Sequence, residues 1–454
     1  METAVSLPQL PAPRSAVRKE ILRIAWPVVA EQLLATMANM VDAALVGRLG
    51  AVATAAVGLT QMPHWLMVGL FMGLGVGVNA LAARFHGAGE DHRLEATTRA
   101  GFWLAVATSL LAGGAIYSFA PAIFRLVGAE PDVLPVGVPF LRAMVPGMIA
   151  VFWSVVLSAA LRATGDTRTP MVINLGANLL NAVLAYSFIY GHFGAPALGV
   201  MGAALATSST RILAALVLFA VLLRRERGAR LEWRRMLSLD LSLLWRILKV
   251  GAVSSTERMF STVVYIGYAR MVNTLGTVAV AAQYIAVQAE NVSWMLASGF
   301  AMASAAMVGQ RLGAGKPEEA EGVIKEAARM AMIALGVLAV LFIAIPRPYI
   351  ALFTGDPDVL NMAAAALRVG GLAEVPTALV LVLNGALSGA GDTRPLFLVT
   401  LAGGIVRLSM TAVLILVMGL GLEAAWFAAL ADWLVRSAVI WWRFRTGIWK
   451  TIRV

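Results

Sequence analysis

The sequence predicts an all-α integral membrane protein with twelve transmembrane helices in two six-helix lobes of the same orientation. Two observations carry the prediction. The first is apolarity: over 454 residues, 60% are hydrophobic and 13% charged, with mean hydropathy +0.81. Soluble domains carry roughly 25% charged residues. The second is an internal repeat at a fixed separation of 226 residues. Gly165-Asp166-Thr167-Arg168 returns as Gly391-Asp392-Thr393-Arg394, and Gly87-Ala88-Gly89 as Gly313-Ala314-Gly315. Pro131-Asp132-Val133-Leu134 returns as Pro357-Asp358-Val359-Leu360, and Glu31 as Glu257. Paired halves in a membrane chain are the usual build of a secondary transporter, with its site between the halves.

Each span follows from a stretch of about 20 or more largely apolar residues. In the first half these are 21–47, 54–82, 100–122, 134–161, 170–190 and 199–223. In the second they are 244–269, 278–308, 327–346, 359–388, 395–418 and 423–442. The run from Ile21 is too long for a signal peptide and holds Glu31 and Asp42, so it reads as the first span. Six spans return the chain to its starting side, so the lobes are related by an axis along the membrane normal. The expected organisation is a first lobe at 1–223, a polar linker at 224–243 and a second lobe at 244–454. Within the linker, Ser238 and Asp240 are candidate N-caps for a short interfacial helix. Near the C-terminus the register slips: Gly199 to Ala203 matches Gly421 to Ala425 at an offset of 222.

Charge fixes the expected orientation. Of 36 Lys and Arg, 26 fall at the end shared by both termini, the linker and the GDTR turns. By the positive-inside rule that end is cytoplasmic, in a plasma or inner cell membrane. The net charge of +11 is thus topological and faces anionic lipid. It does not indicate nucleic acid, which is excluded as a partner. Cysteine is absent, which excludes disulfides and thiolate metal sites. Four scattered histidines give no zinc pattern. Gly313-Ala314-Gly315-Lys316 is followed by Pro317 where a phosphate loop needs Ser or Thr, so ATP binding is rejected. No nucleophile and base stand at a telling spacing, so the chain is not expected to be an enzyme.

Ionisable groups at bilayer depth are costly and are functional candidates by default. Glu31, Glu257, Glu290 and Glu374 each sit near the middle of a span. A midplane glutamate that exchanges a proton or metal cation for a cationic substrate is a simple coupling device; the bland alternative is a carboxyl held by a neighbouring Ser, Asn or backbone group. Glu257, Glu290 and Glu374 are expected to form a second-lobe ion site, with Asp42 and Glu31 as the first-lobe contribution. Asp42 lies eleven residues after Glu31, nearly the same helix face. Asn39, Asn178 and Asn181 are candidate oxygen ligands, and Tyr268 is the repeat counterpart of Asp42. Among in-span cations, Arg142 and Arg368 can snorkel outward. Asp432 and Arg436, spaced i,i+4, are expected to pair. Arg258 adjoins Glu257 but points about 100° away. Trp65, Trp153, Trp294, Trp426 and Trp433 could line a cavity for bulky cations, although ordinary packing is the commoner role. No metal is expected beyond Na⁺.

These motifs resemble the multidrug and toxic compound extrusion (MATE) family. Val41 to Gly50 is similar to that family's span-1 signature, and Ala386 to Arg394 resembles its span-10 signature, with Leu161 to Arg168 as the first-half counterpart. The resemblance covers essentially the whole chain. It implies two six-helix lobes around a central cavity and antiport of organic cations against H⁺ or Na⁺, without another cofactor. Asp42 matches the span-1 aspartate of one bacterial and archaeal branch, but that branch's span-5 aspartate falls on Ala185. Glu257 and Glu374 look like the span-7 and span-10 acids of another branch. The expected function is export of amphipathic, cationic small molecules by a monomer. A lipid-linked oligosaccharide flippase of the same superfamily is the alternative; it would prefer arginine at the midplane, where this chain has acids.

Overall fold

The computed structural model describes residues 14–126, 129, 131–226 and 228–452, excluding the side chains at 51, 62, 65, 66 and 70. Trp65 as a cavity-lining candidate, and Arg227 and Arg453 in the charge pattern, lie outside that description. The first half folds as α1 (Arg14–Gly47), α2 (Ala51–Gly87), α3 (Asp91–Leu126), α4 (Leu134–Ala163), α5 (Arg168–Tyr190) and α6 (Val200–Arg224). The second folds as α7 (Leu241–Asn273), α8 (Thr277–Gly313), α9 (Pro317–Ala344), the short α10 (Pro346–Ile350), α11 (Pro357–Ala390), α12 (Arg394–Thr411) and α13 (Leu422–Arg445). Among the described residues there are twelve long helices and no strand. Apart from α10, each corresponds to one expected span.

Helix ends depart from the apolar runs for a physical reason: hydropathy marks the bilayer, whereas a helix stops where its backbone is capped. α1 is already helical at Arg14, ahead of the apolar run at 21, and buries Ile21, Ile24 and Ala25 on one face. α9 begins at Pro317 rather than 327. Proline stands at the first position, where a missing N–H costs nothing, and Glu318 and Glu319 face the positive helix end. α12 loses α-helical pairing after Thr411 and finishes as a π-turn over Ala412–Val417. In the linker the structure corrects one expectation. Asp240 caps α7 itself, accepting from the N–H of Ser242 at 2.9 Å and of Leu243 at 3.3 Å. Ser238 caps nothing: its hydroxyl donates to the Arg235 carbonyl at 2.7 Å, closing a 3-10 turn at Trp233–Arg235.

Among the described residues, eleven long helices contain a stretch long and apolar enough to cross a membrane; α7 is the exception. It carries Arg246, Lys249, Glu257, Arg258 and Arg270. Its buried positions form two stripes, Leu243 to Ser255 and Val264 to Val272, with none over 256–263.

Packing repeats with the sequence. In the first lobe α4 is central, against α2, α3 and α6; in the second α11 is central, against α8, α9 and α13. Between the lobes, α2 packs on α7, α8 packs on α1, and α2 crosses α8. A Cβ on Gly87 would enter the backbone of Gln310, and one on Gly313 would enter the backbone of Arg84. Gly87 and Gly313 are repeat equivalents, as are Arg84 and Gln310, so this is one contact made twice about the pseudo-two-fold axis. Gly73 against Gly251 and Gly299 against Ala25 form a second such pair.

The polar contacts between lobes gather at the basic end. Arg311 pairs with Glu20 at 2.8 Å, Arg18 pairs with Glu326, and the Gln310 amide donates to the Ala163 carbonyl at 2.6 Å. Gln32 donates to Ser298 at 2.6 Å nearer mid-depth. Farther from the basic end, Leu33, Met37 and Met40 of α1 and Met259, Val263 and Ile266 of α7 are exposed. Each GDTR turn ties down its own lobe. Gly165 and Gly391 both take φ of 84°, the left-handed region that glycine adopts without strain. Asp166 pairs with Arg225 after α6, and Asp392 takes both Arg443 nitrogens at 2.8 and 3.0 Å near the end of α13.

Candidate functional site

The in-span acids fall into distinct clusters. In the first lobe, Glu31 of α1 accepts from Arg162 at 2.8 and 3.0 Å and from the Asn174 amide at 2.6 Å. Removing one partner of a buried ion pair typically costs about 3–5 kcal/mol, because the other charge is left unpaired. Farther along α1, Asp42 takes the Asn181 amide on both carboxylate oxygens, at 2.8 and 3.0 Å. Arg211 of α6 acts electrostatically on both Asp42 and Glu31. Asn178 is buried one turn before Asn181, and Asn39 is exposed.

In the second lobe Glu257, the counterpart of Glu31, accepts from the Thr400 hydroxyl at 2.8 Å. Thr400 is the counterpart of Asn174, so α1–α5 and α7–α12 make the same contact with different chemistry. The pair Asp42 and Asn181 is likewise replaced by Tyr268 and Arg407, whose guanidinium lies 5.2 Å from the Tyr268 ring centre.

The three second-lobe glutamates expected to form one site do not all meet. Glu374 on α11 is fully buried; one oxygen takes the Ser293 hydroxyl of α8 at 2.8 Å and the other, Oε2, has no hydrogen-bond partner among the described residues. Glu290, one turn before Ser293, is its electrostatic neighbour. Glu257 lies apart at the α7–α12 contact, and no group of three His, Cys, Asp or Glu that could hold a metal ion occurs among the described residues. Helix periodicity places an acid at a depth; which helices bring two acids together is set by packing.

Glu290 lines a cavity of about 230 Å³ with Tyr268, Gln283, Arg407, Trp426 and Trp433. Trp294 joins its wall, edge-on to Trp433 at 5.7 Å, and the Trp426 indole donates to Gln283 at 2.7 Å. Three of the five candidate tryptophans therefore converge here. Trp153 instead bonds Ser109 at 3.2 Å within the first lobe. Asp432 pairs with Arg436, as its spacing suggests, and also lies 3.3 Å from Arg407. Arg407 in turn acts on Glu290. A connected chain of groups results: Glu374, Glu290, Arg407, Asp432, Arg436. It holds three carboxylates and two guanidiniums. The first-lobe cluster balances two carboxylates, Glu31 and Asp42, with Arg162 and Arg211.

Arg142 reaches outward to the Tyr117 carbonyl at 3.1 Å, and Arg368 and Arg258 are exposed. Sequence reasoning missed Arg162, Asn174, Arg211, Ser293 and Arg407 as site residues. The repeat offset was the available signal, since it aligns Asn174 with Thr400 and Asn181 with Arg407.

Comparison with known proteins agrees with this architecture. A "Probable multidrug resistance protein NorM" from Thermotoga maritima is 29% identical over 441 residues, covering 96% of this chain and 93% of that protein. A solved outward-facing MATE family multidrug resistance transporter of the MOP superfamily superposes with TM-score 0.88 at 22% identity, over 96% of this chain and 97% of its own. A MOP superfamily transporter from Pyrococcus furiosus, described as having a binding pocket of reverse polarity, superposes with TM-score 0.87 at 21% identity over the same shares. The MatE family model matches residues 27–187 and again 254–413, once in each lobe. With both repeats matched and twelve long helices around them, the chain belongs to the MatE family and is a multi-pass MATE transporter.

Proposed function

We propose that this transporter exports amphipathic, cationic small molecules in exchange for H⁺ or Na⁺ by alternating access. The observation that carries the reading is the uncompensated carboxylate of the second-lobe chain, with Glu374 Oε2 buried and unbonded. An unpaired charge away from water is expensive, so the site gains by taking up one cation. Glu374 and Glu290 are assigned as its carriers. Asp42, Glu31 and Glu257, held by Asn181, Arg162 with Asn174, and Thr400, are assigned as supporting groups that tie α1 to α4 and α5 and α7 to α12. The cavity walls of Trp294, Trp426 and Trp433 offer aromatic faces to a cationic substrate. The multidrug names of similar proteins support drug export. The basic end is assigned to the cytoplasm by its Lys and Arg, so the state described is closed inward.

The test is dye efflux from everted vesicles under separately imposed pH and Na⁺ gradients. Efflux of a cationic dye driven by one gradient is expected. Flux of a lipid diphosphate with indifference to both gradients and to cationic dyes would replace this reading with the flippase.

A further inference from the structure

A second polar cavity lies at the basic end, away from the acidic chain. It has a volume of about 530 Å³ and is lined by Arg246 and Lys249 of α7, Asp392 and Thr393 of the GDTR turn, Arg394 opening α12, and Arg443 of α13. Four cations thus face one acid. Asp392 is consumed by its two bonds to Arg443. Arg246, Lys249 and Arg394 form no ion pair with a described carboxylate, although Arg246 stands over the Phe85 ring at 5.9 Å. The first turn of α12 borders the same cavity through Thr393, Arg394 and Pro395. Guanidinium and ammonium donors around one cavity are the complement of a phosphate group.

The place of the cavity points to where that phosphate comes from. Trp245 and Trp442, each 68% exposed, flank Arg246 and Arg443 at the same end. Exposed indoles mark the headgroup level of a bilayer. The equivalent corner of the first lobe is different. There Glu20 stands for Arg246, Arg23 for Lys249 and Arg168 for Arg394, and Glu20 is engaged with Arg311 at 2.8 Å. The repeat supplies an acid, Glu20, in one lobe where it supplies a cation, Arg246, in the other, so the two corners differ in charge.

We propose that this cavity binds one phosphate-bearing anion, the headgroup of an anionic phospholipid, at the seam between α7, α12 and α13. The site is independent of what the transporter carries. Phosphatidylglycerol, phosphatidylcholine and inorganic phosphate serve as probes for detergent-purified protein, read by thermal unfolding midpoint and by native mass spectrometry. Wild type is expected to retain one phosphatidylglycerol and to show a saturable upward shift in midpoint, with no response to phosphatidylcholine. Lys249→Gln with Arg394→Gln, both exposed side chains, is expected to abolish retention and shift together; Arg23→Gln with Arg168→Gln is expected to keep both. If inorganic phosphate alone reproduces the shift in wild type and not in the first variant, the ligand is soluble phosphate at the same donors. Equal shifts in wild type and the Lys249/Arg394 variant, or no retained lipid and no shift with any probe, would overturn the site.

Discussion

Glu374→Gln is expected to reduce gradient-driven efflux to the level of vesicles lacking the protein, with folding and dye binding retained. Glutamine has nearly the same shape and can still meet the Ser293 hydroxyl, so neither packing nor that 2.8 Å bond is sacrificed. What disappears is the negative charge that makes the second-lobe chain short of one cation. Glu290→Gln removes the same unit of charge from the cavity wall and is expected to impair coupling similarly. Asp432→Asn differs, because it leaves Arg407 and Arg436 short of an acid and destabilises the lobe as well. Separate measurements of efflux and of dye binding distinguish these cases. Undiminished gradient-driven efflux in Glu374→Gln would remove the second-lobe site.

Gly313→Val is expected to prevent the basic end from closing. The atoms a Cβ would meet are backbone oxygen and carbons of Arg84, on the facing helix, so no side chain can turn aside to make room. Relief requires the two lobes to separate at that end, which also strains the Glu20–Arg311 and Arg18–Glu326 pairs. The expected outcome is loss of transport together with a population open at the basic end. The chain has no cysteine, so spin labels at Asp91→Cys and Lys325→Cys report that opening without background. Gly322→Ala is the control, since a Cβ there meets nothing within 4 Å. An unchanged label distance in Gly313→Val would show that the glycine contact does not set the conformation.

The fold was legible because bilayer-length apolar runs and a fixed repeat leave few alternatives. Only details escaped, such as the early start of α9, where Pro317 and the first-turn acids Glu318 and Glu319 carry the helix beyond the apolar core. The site was legible by depth but not by grouping. Glu290 and Glu374 were recognisable as buried acids, yet their neighbourhood depends on how α8 meets α11. Arg162 was counted with the GDTR turn, and its reach to Glu31 crosses from α4 to α1. Arg407 lies within a span in the sequence, but only packing sets it between Glu290 and Asp432. The offset that aligns Asn181 with Arg407 was present in the sequence, but a contact on one lobe was needed before its counterpart could be sought.

The composition of α7 has a further consequence, for biogenesis. A helix with five charged residues is a poor candidate to leave the translocon for lipid unaided. Its first buried stripe lies on α2, with Gly73 against Gly251 and Gly77 against Ile247. We therefore expect α7 to be retained in the membrane by a groove that the first half has already built, which makes topogenesis of the second half conditional on the first. Glycosylation-site mapping of the second half expressed alone should find α7 left out and the helices after it inverted, and co-expression of the first half should restore them. Correct topology of the isolated half would show that α7 inserts by itself.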